Sequence, residues 1–442
     1  MNKIILSFIA SSTILFAQTI DFDKALEETL KNNKQIKNNQ LDINISNENS
    51  KEILGVQLGK VEFSHEASKT NHAGYVFNSK LSSREVDSSS DFFDNPLNNP
   101  DDRNNFISKI SYTLPIFTGF KVSNQKDILK LQTKANELKL NLNKKQIAYE
   151  VLKAYNAAVV AKEFISAVNK TKEAITFVVK QANEFHKEGL VTKIDVKQAK
   201  VHELNINSRL IEAQNSFDIA ISYLKFLTTD DAITDVKSMK HINLNISSIE
   251  NLYNEAIKNR DEFKMQKINT LAMKKNINMV NSEYYPKIYT HIEYGFNDNR
   301  IDLDNTKDYY MAVLGVKYNL FDLTRSTKKQ KATLHYKKST NNLEQLEDNI
   351  KLEIKKSVSN LKSKEKVLSE KIKAKELAQE VFEQSNLMYK NQLISMTNLL
   401  EQEANLQRNE AALITAKYDY SMALANIALV LGIDFTQHKG NK

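Results

Sequence analysis

Three long stretches of this chain contain neither glycine nor proline, the residues that punctuate compact folds. They run from Phe120 to Glu188, from Leu190 to Tyr285 and from Val316 to Leu431, in a chain of 442 residues with nine Gly and four Pro. As one helix, Phe120–Glu188 would span roughly 100 Å at about 1.5 Å per residue. No single globular core needs a helix of that length. Apolar residues recur through the runs at i, i+3, i+4 and i+7, the spacing of one helix face. Ile194, Ala199, Val201, Leu204, Leu210, Ala213 and Phe217 line one stripe, and Leu399, Leu406, Ala411, Leu413, Ala416 and Tyr420 line a second. Stripes of Leu and Ala read as packing between helices, not as a cofactor site.

The chain also repeats itself. ISYTLPIFTGFKVSNQ at 110–125 recurs as LGVKYNLFDLTRSTKK at 314–329, an offset of 204. FHKEGLVTKIDVKQAKVHEL at 185–204 recurs as MYKNQLISMTNLLEQEANLQ at 388–407, an offset of 203. A third block, at 25–43, recurs at 252–270. A period this long marks a duplicated half-protein rather than a solenoid unit. The expected organisation is a signal peptide at 1–17, a first repeat at 18–230, a connector at 231–250, a second repeat at 251–432 and a C-terminal tail at 433–442. Each repeat carries helix, strand, strand, helix, helix.

Strands are expected at about 61–77, 105–116, 286–296 and 309–320, where the apolar period shortens to two. In 286–296, Ile288, Thr290, Ile292, Tyr294 and Phe296 point one way and Lys287, Tyr289, His291 and Glu293 the other. Strands of about ten residues, apolar on one face and flanked by aromatics, suit a transmembrane barrel. A small antiparallel sheet packed on a helix has the same period, so the pattern fits both. Four strands cannot close a barrel, and open edges are not tolerated in lipid. Strands in a membrane would therefore require oligomerisation: three chains give twelve strands, two give eight. Long polar stretches follow the first strand of each pair, at 71–104 and 297–308, as befits outward loops.

Lys3 and the apolar segments Ile4–Ile9 and Ile14–Phe16, with Ala17 before the expected cleavage, form a secretory signal. The chain has no cysteine, so export brings neither disulfides nor a lipid-modified N-terminal Cys. Its 62 basic residues are interleaved with 54 acidic ones, so a net charge of +8 reads as solvated helix faces rather than a nucleic-acid surface. Phosphate-loop and dinucleotide fingerprints are lacking, and the eight His form no H-x-x-x-H pair. No cofactor, metal or enzymatic activity is expected.

Between the paired helices lie Glu188-Gly189-Leu190 and Asn391-Gln392-Leu393. Each reads either as a plain turn or as an exposed tip that another protein grasps. With Tyr284-Tyr285-Pro286-Lys287-Ile288, with Leu114–Phe120 (LPIFTGF) and with the Asp195-Val196 that follows the first tip, the chain resembles the TolC family of outer-membrane efflux and secretion ducts. The resemblance spans Ile20 to Gly432. It implies a fold that is mainly α with transmembrane β: a homotrimer whose 12-stranded barrel, four strands per chain, sits in the outer membrane and continues as a periplasmic α-helical barrel. It implies a passive exit duct of a tripartite pump or type I secretion system, docked by Glu188, Gly189, Leu190, Asn391, Gln392 and Leu393 on a periplasmic adaptor tied to an inner-membrane transporter. It also implies an entrance at Asp195, Tyr389, Asn398 and Glu401. Ile394 stands where the family has a basic gate residue, and neither tip has the family's Val-Gly-Leu turn. The competing reading is a periplasmic coiled-coil adaptor or scaffold. Such a protein usually carries one helical hairpin between small β domains, not two copies of strand–strand–helix–helix.

Overall fold

The computed structural model describes residues 18–87, 90–91, 98–302 and 306–434. The expected signal peptide and residues 435–442 of the expected tail lie outside them. In chain order the elements are β1 (Gln18–Ile20), α1 (Phe22–Asn32), α2 (Lys34–Leu58), β2 (Lys60–Thr70), α3 (Ala73–Ser82), β3 (Arg103–Phe117), α4 (Lys121–Lys187), α5 (Lys193–Thr228), β4 (Ile233–Val236), α6 (Ile249–Asn259), α7 (Asp261–Asn281), β5 (Lys287–Asp298), β6 (Asp308–Lys317), α8 (Thr324–Lys390) and α9 (Met396–Val430). Helices α4 and α8 are 67 residues each, the length that the absence of Gly and Pro allows. The residues cluster into two compact units, 18–40 with 138–264 and 345–434, and 41–137 with 265–344.

The first unit is helical. Its one small sheet is β1 paired in parallel with β4, which places the connector strand beside the N-terminal strand. Ile20, Ile233 and Val236 are fully buried there. Tyr155 of α4 meets Phe22 edge-on and directs its hydroxyl to the Ser238 carbonyl at 3.3 Å. The Asn156 amide brackets the connector backbone, donating to the Lys240 carbonyl and accepting from its N–H, both at 3.0 Å. Lys145 pairs with the buried Asp261 at 2.7 Å. Asp261 stands one residue after Arg260, which bonds Glu262 and Glu353. A buried carboxylate persists only with such a partner.

The second unit holds a four-stranded antiparallel sheet in the order β2-β3-β5-β6. The register runs Lys60↔Thr113 to Thr70↔Arg103, Ile110↔Tyr294 and Ile292↔Ala312. Successive side chains alternate faces. Val61, Phe63, Ile110, Ile292, Tyr294, Tyr310, Leu314 and Val316 share one face and are all exposed. The opposite face is polar: Lys109 pairs with Glu293 at 3.0 Å, and Thr113 bonds His291 at 2.9 Å. A bulge falls between Pro115 and Phe117, where the missing proline N–H interrupts the ladder. Gly59 joins α2 to β2 at φ +80°, so the proline that opens the matching strand, Pro286, has no counterpart there.

Two expected boundaries are corrected. The strand read at 61–77 ends at Thr70, and Ala73–Ser82 is helix α3. Beyond His72 the buried positions are Val76, Ser79 and Ser83, a helical spacing rather than a period of two. The strand read at 309–320 ends at Lys317. Tyr318, Leu320 and Phe321 are exposed, and the Leu320 carbonyl accepts a bond from Arg325 at 3.2 Å instead of continuing the ladder.

Candidate functional site

Helices α4 and α5 join through Glu188-Gly189-Leu190, and all three residues are exposed. The Leu190 N–H returns to the Phe185 carbonyl at 2.8 Å and the Gly189 N–H to His186 at 3.0 Å. This is a Schellman closure with Gly189 at φ +76°. Helices α8 and α9 join in the same way. The Leu393 N–H reaches the Met388 carbonyl and the Gln392 N–H that of Tyr389, both at 2.9 Å. Here Gln392 takes the left-handed position, at φ +60°.

Each turn is followed by a capped helix. Thr192 caps α5 in a reciprocal box: its hydroxyl accepts from the Asp195 N–H at 3.3 Å, and Asp195 accepts from the Thr192 N–H at 2.8 Å. Ser395 caps α9 and accepts from the Asn398 N–H at 3.3 Å. Asp195 and Asn398 thus hold equivalent places in the two hairpins. The second lacks the carboxylate that closes the box.

Behind the turns lies a core of Ile175, Val178, Ala182, Ala199, Tyr389, Met396 and Leu399, with Phe185, Val196 and Ile394 packed against it. Ile394, which by the resemblance stands where the family has a basic gate residue, packs against this core instead. Tyr389 is buried beside Phe185, their ring centres 6.1 Å apart. Its hydroxyl meets no hydrogen-bond partner among the described residues. Burial pushes its pKa up to about 12, and the nearby Asp195 charge adds to the shift. The structure thus brings Asp195 and Tyr389 near one another without a hydrogen bond. Asn398 and Glu401 are exposed on α9.

Sequence reading overlooked a polar layer beneath this core. Glu403, only 3% exposed, accepts from His202 at 2.5 Å across α5 and α9. One turn on, Arg209 donates to the buried Gln407. The signal was present: Glu403 lies between Leu399 and Leu406 at the i+4 and i−3 positions of the buried stripe. Among the described residues no group of His, Cys, Asp and Glu could hold a metal ion, and no helix is long and apolar enough to cross a membrane.

A mainly helical chain with matched hairpin turns and a four-stranded sheet bearing an exposed apolar face has the make-up of an outer-membrane channel subunit. The family described as outer membrane efflux protein matches residues 78–229 and 252–433, and the chain belongs to it. Comparison with proteins of curated function finds no match. Among solved structures the fold is similar to that of CusC, with TM-score 0.80 and 12% identity over 95% of this chain and 94% of that one. It is also similar to the CmeC outer membrane channel of Campylobacter jejuni, with TM-score 0.77 and 16% identity over 93% and 85%. VceC of Vibrio cholerae gives TM-score 0.76 and 15% identity over 94% and 96%. The fold is that of TolC-like channels.

Proposed function

We propose that three copies of this chain close a 12-stranded barrel in the outer membrane and form a passive exit duct with a periplasmic helical extension. The observation that carries the reading is the sheet itself. Its outer strands, β2 and β6, each have one edge without a partner strand among the described residues. Its apolar face is exposed from Val61 to Val316. An open edge is unacceptable in hydrocarbon, and closure by further copies removes both edges. The polar face then lines the lumen.

In this reading the two turns face a periplasmic adaptor, which ties the duct to an inner-membrane transporter in a tripartite pump or a type I secretion system. Glu188, Gly189, Leu190, Asn391, Gln392 and Leu393 form the docking tips. Asp195, Tyr389, Asn398 and Glu401 surround the entrance. Energy for transport comes from the partner. The deciding measurement is the native mass after detergent extraction of the outer membrane. Three times the mass of the mature chain is expected. A soluble monomer or dimer recovered from the periplasm would overturn the reading in favour of a coiled-coil scaffold.

A further inference from the structure

Helix α3 lies over the polar face of the sheet, at the end farthest from α2 and α4. Strand β2 leaves α2 at Lys60 and reaches α3 beyond Thr70, while β3 starts at that far end and runs back towards α4. On α3, Ser79 donates to Asn105 at 2.7 Å and accepts from the Arg103 Nε at 3.0 Å. Arg103 and Asn105 share their face with Glu66, Ser68, Thr70 and Asn297, as the strand register requires. Beside these bonds, a cavity of about 420 Å³ is lined by α3 and by this face of the sheet.

We infer that α3 is an inward-folded element that narrows the outer mouth of the duct, held in place by a clasp centred on Glu85. The inference rests on the barrel reading above, which makes the polar face the wall of the lumen. Twelve strands about 4.8 Å apart and tilted by about 40° enclose a barrel roughly 24 Å across. Three helices, each about 10 Å in diameter, occupy most of such a bore. The lipid side is closed to α3, because the opposite face of the sheet is the apolar one.

What holds α3 is polar, and therefore releasable. Val76 is its only buried apolar side chain, and Tyr75 and Leu81 are exposed. Immediately after the helix, Glu85 accepts from Arg103 of β3 at 2.7 Å and from Lys307, beside β6, at 2.5 Å. Asn299 donates to the same carboxylate at 3.3 Å. Lys307 also pairs with Asp298 at 2.7 Å. Arg84 donates to the carbonyls of Thr306 and Asp308 at 2.6 and 2.8 Å. The segment that follows α3 is thus tied across the sheet to the β5–β6 connection. Burial by itself would raise the Glu85 pKa, but the bonds from Lys307 and Arg103 outweigh it and hold the carboxylate below its ordinary range. The clasp stays charged at neutral pH. An element tied mainly by such contacts can yield to a large substrate arriving from within while resisting entry of bulky solutes from outside.

The absence of cysteine makes the test clean. Glu62→Cys places a thiol on the polar face, two repeats of the pleat inward of Glu66. Intact cells are treated with a polyethylene-glycol maleimide and, separately, with a small charged maleimide. With the clasp intact, the small reagent is expected to label Glu62→Cys readily and the bulky one slowly. Adding Glu85→Gln is expected to speed only the bulky reagent, by about tenfold, the population shift that the loss of one charge-assisted hydrogen bond produces. Lys307→Gln serves as an independent release should Glu85→Gln assemble poorly. Equal rates for the bulky reagent with and without the clasp would overturn the inference. Leu314→Cys, on the apolar face, separates the two readings. If it stays unlabelled by the charged reagent while Glu62→Cys shows no clasp effect, the barrel stands and the plug alone falls. If Leu314→Cys is labelled, that face is not in lipid and both fall.

Discussion

Gln392 holds, at the second hairpin turn, the left-handed backbone conformation that Gly189 holds at the first, with φ +60° against +76°. A side chain in that region clashes with its own carbonyl, at a cost of about 1–2 kcal/mol. Gln392→Gly is therefore expected to stabilise the α8–α9 turn by about 0.5–1 kcal/mol, the relief being partly offset by glycine's greater unfolded-state freedom. Gly189→Ala should destabilise its turn by a similar amount. Hydrogen exchange at Leu393 and Leu190, whose N–H groups close the two turns, reads both effects.

Two acids on α9, two residues apart, should behave in opposite ways. Glu403 is buried and bonded to His202, whereas Glu401 is exposed. Glu403→Ala leaves His202 without its partner and should cost about 2–3 kcal/mol. Glu401→Ala should change stability by less than about 0.5 kcal/mol. Denaturant midpoints of the two variants would separate them, and equal midpoints would refute the assignment of the buried pair.

For docking, the double variant Leu190→Glu with Leu393→Glu introduces charge at both turns without disturbing a left-handed residue. Export should fall by about tenfold or more, the effect of losing an apolar anchor, while the amount of assembled protein stays normal. Unimpaired export would remove the turns from the partner surface.

In the proposed trimeric duct, Glu401 would stand at the entrance in three copies. Glu401→Gln should reduce cation preference in planar bilayers by about twofold or more, since a ring of like charge concentrates counter-ions. Unchanged selectivity would place Glu401 outside the lumen.

Tyr389 supplies a pH test. Its folded pKa is raised to about 12, first by burial and then by the Asp195 charge. A raised value means the folded state keeps its proton after the unfolded chain has released one. The stabilisation is complete below about pH 10 and is lost as pH climbs towards 12. Tyr389→Phe should flatten the fall in stability over that window, by an amount on the order of 2 kcal/mol. A wild-type curve that overlays the variant would refute the burial argument.

How much of this was legible beforehand differs from element to element. The long helices, the sheet's two faces and the turns followed from local chemistry. Runs without Gly or Pro leave long helices uninterrupted, a period of two names a strand's faces, and Gly189 marks a helix end. Helix α3 was missed because a ten-residue helix with one buried apolar side chain carries almost no periodic signal.

By itself, then, the sequence determined the parts whose causes are local: backbone punctuation, side-chain period and capping residues. Only the tertiary structure decided which distant polar groups meet. Glu85 lies 222 residues from Lys307, and His202 lies 201 from Glu403. Such pairs form because packing brings their elements together and burial then requires a partner for each charge, a condition that no local window of sequence contains. The same reason makes Ile394 a packing residue, whereas Asp195, which closes the capping box of Thr192 three residues away, is placed by local sequence.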